Sequence, residues 1–228
     1  MNNQSNLSPE EKRAIQSKKA GQEFIAQVHA KMSKLVAEFA AGEINRTQFH
    51  QLYDRYQRQI MTVAQMISEA DPEAWREAVD EGEDTFHIRS RLTAKALGMS
   101  IYDNETNMPI ETMGEFAVEP SLIVPMLSSY RSATAEIFRA GMRSTEMENG
   151  RWLCFVPGKY TTLIALFSLE PSENQLATVE RMHKDFELAN RAALEKRQVD
   201  PTALAYPFLS FIRQAQQSVG DELIDIDE

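Results

Sequence analysis

Two short runs are apolar on consecutive positions, residues 151–156 (RWLCFV) and 160–169 (YTTLIALFSL), and they stand out from an otherwise mixed chain. Both are rich in β-branched and aromatic residues and too short for core helices, so they read as strands. Pro157-Gly158-Lys159 joins them. Proline pre-sets φ and glycine accepts φ > 0, which predicts a tight turn between antiparallel strands. Alternation puts Trp152, Cys154 and Val156 on one face and Leu153 and Phe155 on the other. A strand with two apolar faces is covered on both, or covered on one and used for binding on the other.

Upstream, the pattern changes to helical spacing. Ser8-Pro9-Glu10-Glu11 is a capping box with proline at the first helical position. The helix it starts carries Ile25, Val28, Met32, Leu35 and Phe39, and Gly42 supplies the stop. Asn45 caps a second helix, with Gln48 at the reciprocal position and Ile44 and Phe49 placed as a hydrophobic staple. Its seam is Phe49, Tyr53, Tyr56, Ile60, Val63 and Ile67. Two such seams joined by a short link predict an antiparallel helical hairpin that packs on the core or on a second copy. Asp71-Pro72 restarts a short helix through Trp75 and Val79. Stretch 86–97 has two readings: its even spacing suits a strand, while its alanines and Gly98 suit a helix with a stop. We read a helix.

The second half alternates again. Strands are predicted over 99–103 and 108–113, the second at a sheet edge because Pro109 lacks the N–H that a central strand needs. A helix follows over 122–139, with Met126, Leu127, Tyr130, Ala133, Thr134, Ile137 and Phe138 on one side, ended by Gly141. Residues 142–148 form a charged edge strand, and Asn149-Gly150 is the favoured two-residue hairpin turn leading into the apolar pair. Ser172 with Gln175 opens the last long helix, whose seam is Leu176, Val179, His183, Phe186, Asn190 and Ala193. Asp200-Pro201 caps a final helix holding Leu204, Leu209, Phe211 and Ile212. These elements predict an α+β fold: a five-stranded antiparallel sheet flanked by helices and preceded by the helical hairpin. The expected division is 1–84 for hairpin and acidic linker, and 85–228 for the α/β domain with its extra C-terminal helix and acidic tail.

Charge narrows the partners. The 228-residue chain has a formal net charge of −10, which argues against a general nucleic-acid binder. Lys12, Arg13, Lys18, Lys19, Lys31 and Lys34 make the first helix basic, whereas 69–84 and the tail 221–228 are acidic. Opposite charges on one soluble chain read as solubility and contact between its parts, or as a basic surface for an acidic partner. The single cysteine, Cys154, excludes an internal disulfide and every multi-cysteine zinc pattern; in a central strand it reads as a small buried hydrophobe. No run approaches a membrane span and the N-terminus has no apolar signal core, so the expected compartment is the cytoplasm.

The order helix, strand, strand, helix, strand, strand, strand, helix resembles the roadblock and longin superfamily of small regulatory domains. GMSIYDNETNMPIETMG resembles that family's first hairpin, and MRSTEMENGRWLCFVPGKYTTLIALFSLEPS its three-strand meander; the likeness covers about residues 86–194. It implies the sheet order 2-1-5-4-3, which puts at the edges the two strands already read as edges. The hairpin wording KLVAEFAAGEINRTQFHQLYDRYQRQI is similar to short helical hairpins of SHOCT type, which supports an oligomerisation role. Members of the roadblock and longin superfamily are generally not enzymes; they dimerise and hold or regulate small Ras-like GTPases. The resemblance therefore implies partner or dimer contacts from the helix around Tyr130 and Ile137 and from the edge strand with Met142, Ser144 and Glu146. An unpaired strand edge offers backbone donors and acceptors to a second chain.

Candidate chemistry is sparse. His50, His87 and His183 are scattered without metal-ligand spacing. His183 and Glu187 form an i, i+4 pair on one helix, read as a packed histidine bonded to its neighbour. No serine has a G-x-S-x-G context, and no P-loop or G-x-G-x-x-G occurs. Lys159 in the turn could meet an anion, although a plain hairpin turn accounts for the three residues. No catalytic, cofactor-binding or metal-ligating set is expected. The functional expectation is a non-catalytic regulatory or scaffold homo-oligomer that binds a protein partner. The alternative is a PAS- or GAF-like sensor binding a small ligand on an open face of the sheet.

Overall fold

Ser8 starts the first helix as its neighbours predict: its hydroxyl accepts from the Glu11 N–H while the Glu11 carboxylate accepts from the Ser8 N–H. In the computed structural model, residues 8–68, 85–119, 121–128, 144–196 and 199–206 are described. The chain divides into two compact units, Met1–Thr93 and Ala94–Glu228. The acidic stretch that carried the expected division, with the short helix at Trp75 and Val79, lies outside the described residues.

The first unit holds α1 (Pro9–Ala40), α2 (Arg46–Ser68) and α3 (Thr85–Arg91). Helices α1 and α2 form the antiparallel hairpin, and Val28, Met32, Leu35, Ile44, Tyr56, Ile88 and Leu92 share its core. Leu52, absent from the predicted seam, is fully buried. The reason is α3: Ile88 and Leu92 join the same cluster, so the hairpin buries a wider stripe than a two-helix seam needs. A 2.6 Å ion pair between Arg89 and Glu38 ties α3 to α1. Phe39, expected in the seam, is 40% exposed and stacks on Phe49 instead.

The capping box of α2 does two jobs. Asn45 Oδ1 accepts from the Gln48 N–H and Gln48 Oε1 accepts from the Asn45 N–H. The spare amide donors then reach α3: Asn45 Nδ2 donates to the Leu92 carbonyl, and Gln48 Nε2 to the Arg89 carbonyl and the Thr93 hydroxyl. The last carbonyls of a helix have no intrahelical partner, and here a buried N-cap elsewhere supplies two of them.

The second unit is built on β1 (Ala96–Asp103), β2 (Pro109–Gly114), α4 (121–128), β3 (Ser144–Glu146), β4 (Trp152–Pro157), β5 (Thr161–Phe167), α5 (Glu173–Ala189) and α6 (Arg191–Leu194). The sheet is antiparallel in the order β2-β1-β5-β4-β3, with β5 central and β2 and β3 at the edges. Stretch 86–97 divides between the two readings: 85–91 is helix and β1 begins at Ala96, so Gly98 lies inside a strand rather than at a helix stop. Its lack of a side chain is used for close approach. A Cβ there would lie 2.7 Å from the Glu115 carbonyl carbon and the Phe116 nitrogen, where the chain leaves β2 and crosses β1.

Both faces of the sheet are closed. Met99, Ile101, Cys154, Val156, Leu163, Ala165 and Phe167 face one core, against Leu176, Val179 and Phe186 of α5. Tyr102, Leu153, Phe155, Ile164 and Leu166 face the other, against Ile123 and Leu127 of α4. Every residue of β5 is buried. The predicted C-terminal helices are shorter than their pattern. Helix α5 stops at Ala189 because Asn190 turns its amide to the Phe186 and Ala205 carbonyls and accepts from the Ala205 N–H. Asp200 caps one 3-10 turn, Pro201–Ala203, after which Leu204 is extended; the rest of that expected helix lies outside the described residues.

Candidate functional site

Of the residues expected at a partner surface, Tyr130, Ile137 and Met142 lie outside the described residues. Ser144 and Glu146 are on β3, opposite Cys154 and Trp152 of β4. Ser144 is half-buried and Glu146 exposed. Thus β3 is a three-residue strand at one edge of the sheet. On α4, Ile123 and Leu127 are buried while Leu122 and Val124 are exposed.

The densest polar cluster of this unit lies at the opposite end of β4. The turn between β4 and β5 lines up the backbone N–H groups of Lys159, Tyr160 and Thr161, and all three donate to one carboxylate, Glu187 of α5, at 2.8 Å. The Thr161 hydroxyl adds a fourth bond at 2.9 Å. Successive backbone N–H groups in a turn form a concave anion site. Sequence reading allowed Lys159 to meet an anion here. The anion is the chain's own Glu187, and the backbone rather than the ammonium holds it. The space that a Cβ of Gly158 would fill is taken by the Glu187 carboxylate. Around this clasp, Asn104 Nδ2 donates to the Gly158 carbonyl and Asn104 Oδ1 accepts from Thr162. Tyr160 donates its hydroxyl to Glu195, which also pairs with Arg191.

His183 completes the cluster. Its Nε2 lies 2.8 Å from Thr161 Oγ1. The expected direct bond to Glu187 is replaced by a bridge through Thr161, because the β5 hydroxyl lies between the two helical side chains. The hydroxyl has one proton and Glu187 accepts it, so the imidazole donates from Nε2 to the oxygen. His183 is only 2% exposed. Burial pulls its pKa down to about 4, against the opposing attraction of Glu187, so the ring is neutral at pH 7. The i, i+4 spacing pointed to this pair; nothing local to 159–161 announced that their amides would receive it.

Other titratable groups do less. Burial pushes the Cys154 thiol up to about 12, which removes it as a nucleophile at neutral pH. His50 and His87 are exposed and lie edge-on to neighbouring phenylalanines. Among the described residues, no group of three His, Cys, Asp or Glu side chains is placed to hold a metal ion. No helix among them is long and apolar enough to cross a membrane. No family model, no curated protein and no solved structure matches the chain.

Proposed function

We propose that this protein is a non-catalytic regulatory or scaffold protein of roadblock/longin-like build that forms a homodimer and binds a protein partner, with a small Ras-like GTPase as the first partner to test. One observation carries the reading. The sheet has the order 2-1-5-4-3 and its central strand is buried on both faces, so the sheet offers a partner its edges rather than a face. At the β3 edge, exposed Glu146 and half-buried Ser144 accompany a strand short enough to be extended by a second chain. The same burial supports ranking this reading above a ligand sensor that uses an open sheet face. Binding would act by differential affinity, favouring one conformational state of the partner over another. The reading assigns the protein to the cytoplasm.

The test is affinity capture from native lysate in parallel with a GTP analogue and with GDP, combined with light scattering of the purified chain. The expected result is a dimer that retains a Ras-like GTPase in one nucleotide state. Ser144→Lys with Glu146→Lys should leave the fold intact and halve the mass. A wild-type monomer at every concentration, with no GTPase in either state, overturns the reading.

A further inference from the structure

Beyond the edge just described, α5 and the β4–β5 turn enclose a groove of about 330 Å³ lined by Val156, Pro157, Glu180, His183, Lys184 and Glu187, with Gly158 at its back. We propose that this groove binds a small organic cation bearing a guanidinium or ammonium group, with His183 Nδ1 as its fixed hydrogen-bond acceptor.

The argument starts from the direction of one proton. Glu187 accepts the Thr161 hydroxyl proton, so His183 must donate from Nε2, and its Nδ1 carries a lone pair. Among the described residues Nδ1 has no protein partner, since the single hydrogen bond of this ring is the one to Thr161. Thr161, itself clasped by Glu187, stops the ring from flipping its tautomer. A neutral, oriented histidine lining a groove of ligand size is an arrangement that recurs at binding sites. The groove's charges choose the ligand. Glu180 and Glu187 bring two carboxylates against one ammonium, Lys184. An anion would meet a lone pair and two acids, whereas a cation with N–H donors meets acceptors. Val156 and Pro157 provide an apolar wall for its carbon chain.

The experiment uses the full chain with labelled histidine rings, titrated at pH 7 with L-arginine methyl ester and, separately, with its neutral analogue L-citrulline methyl ester. The expected result is a saturable shift of the His183 Nδ1 resonance with the arginine ester and none with the citrulline ester. Glu180→Gln should weaken binding and Lys184→Ala strengthen it, each by about two- to fivefold, the range of a solvent-exposed charge pair. A parallel titration with a capped Gly-Arg-Gly peptide identifies the source: tighter binding of the peptide marks a partner's arginine, tighter binding of the ester a free small molecule. Equal response to the neutral analogue, no saturable response to either cation, or a proton found on Nδ1 in the free protein overturns the proposal.

Discussion

Each unit uses the same four-residue device at a buried corner, and the two corners are not equally committed. In the helical unit, Asn45 and Gln48 cap α2 and send three further bonds to α3 and Thr93. In the sheet unit, Ser172 and Gln175 cap α5 in the same reciprocal way, and Gln175 Nε2 sends one bond, to the Ala94 carbonyl. The difference follows from chemistry. Asparagine has two spare donors after its oxygen has capped a helix, while a serine hydroxyl has no amide to offer. A cap read from sequence is therefore a local statement, and the residue type decides how far it also acts as a tertiary link.

The largest predicted effect tests that difference directly. Asn45→Ala removes the cap and leaves the buried Leu92 carbonyl and Gln48 N–H without partners, at a cost of about 3–4 kcal/mol. Hydrogen exchange should show α3 opening with the N-terminal turn of α2, while the amides of β5 keep their protection. Equal loss of protection in both units would erase the contrast.

That contrast also marks what a sequence can disclose. Both caps, both strand faces, the edge strands at Pro109 and at Ser144–Glu146, and the turn at Pro157-Gly158-Lys159 depend on neighbours within a few positions, and all were legible. Leu52 was missed because its partner, Ile88, lies beyond the acidic stretch and no seam of two helices requires it. The start of β1 was misplaced because Gly98 has the same appearance at a helix stop and at a close backbone crossing. The Glu187 clasp was hidden for the same reason: its donors are backbone amides, which every sequence has, and only the fold aims three of them at one carboxylate.

Acid should separate the units next. His183 titrates near 6.5 when unfolded and is pulled down to about 4 when folded. Between those values the unfolded chain binds the extra proton, so stability present above pH 6.5 is lost as the pH falls towards 4. The shift corresponds to about 3 kcal/mol. Urea midpoints followed at Trp152 should fall through this window for the wild type and change much less for His183→Gln. A parallel fall in both proteins would assign the acid sensitivity to the surface carboxylates instead.

Gly98→Ala probes the sheet unit without touching a polar group. The new methyl meets backbone atoms of Glu115 and Phe116 rather than the end of a flexible side chain, so relief requires the crossing strand to move. We expect a loss of about 2 kcal/mol, with protection reduced in β1 and β2 and the helical unit unchanged. A neutral outcome would show that the crossing at 114–116 shifts freely, and the sheet edge at β2 would then be looser than its packing indicates.

The smallest effect is the other cap. Gln175→Ala removes one acceptor for the Ser172 N–H and one donor to the Ala94 carbonyl, but Ser172 Oγ still accepts from the backbone at position 175, so the N-cap itself survives. The cost should be about 1 kcal/mol, less than half that of Asn45→Ala. Replacing Ser172 by Asn sharpens the point: it keeps the cap and adds a donor pair, yet no orphan carbonyl in the sheet unit is known to await it, so stability should stay within a few tenths of a kcal/mol of wild type. If Gln175→Ala instead costs as much as Asn45→Ala, the single bond to Ala94 carries the register between α5 and the entry to β1. The two corners would then be equally committed despite their different bond counts.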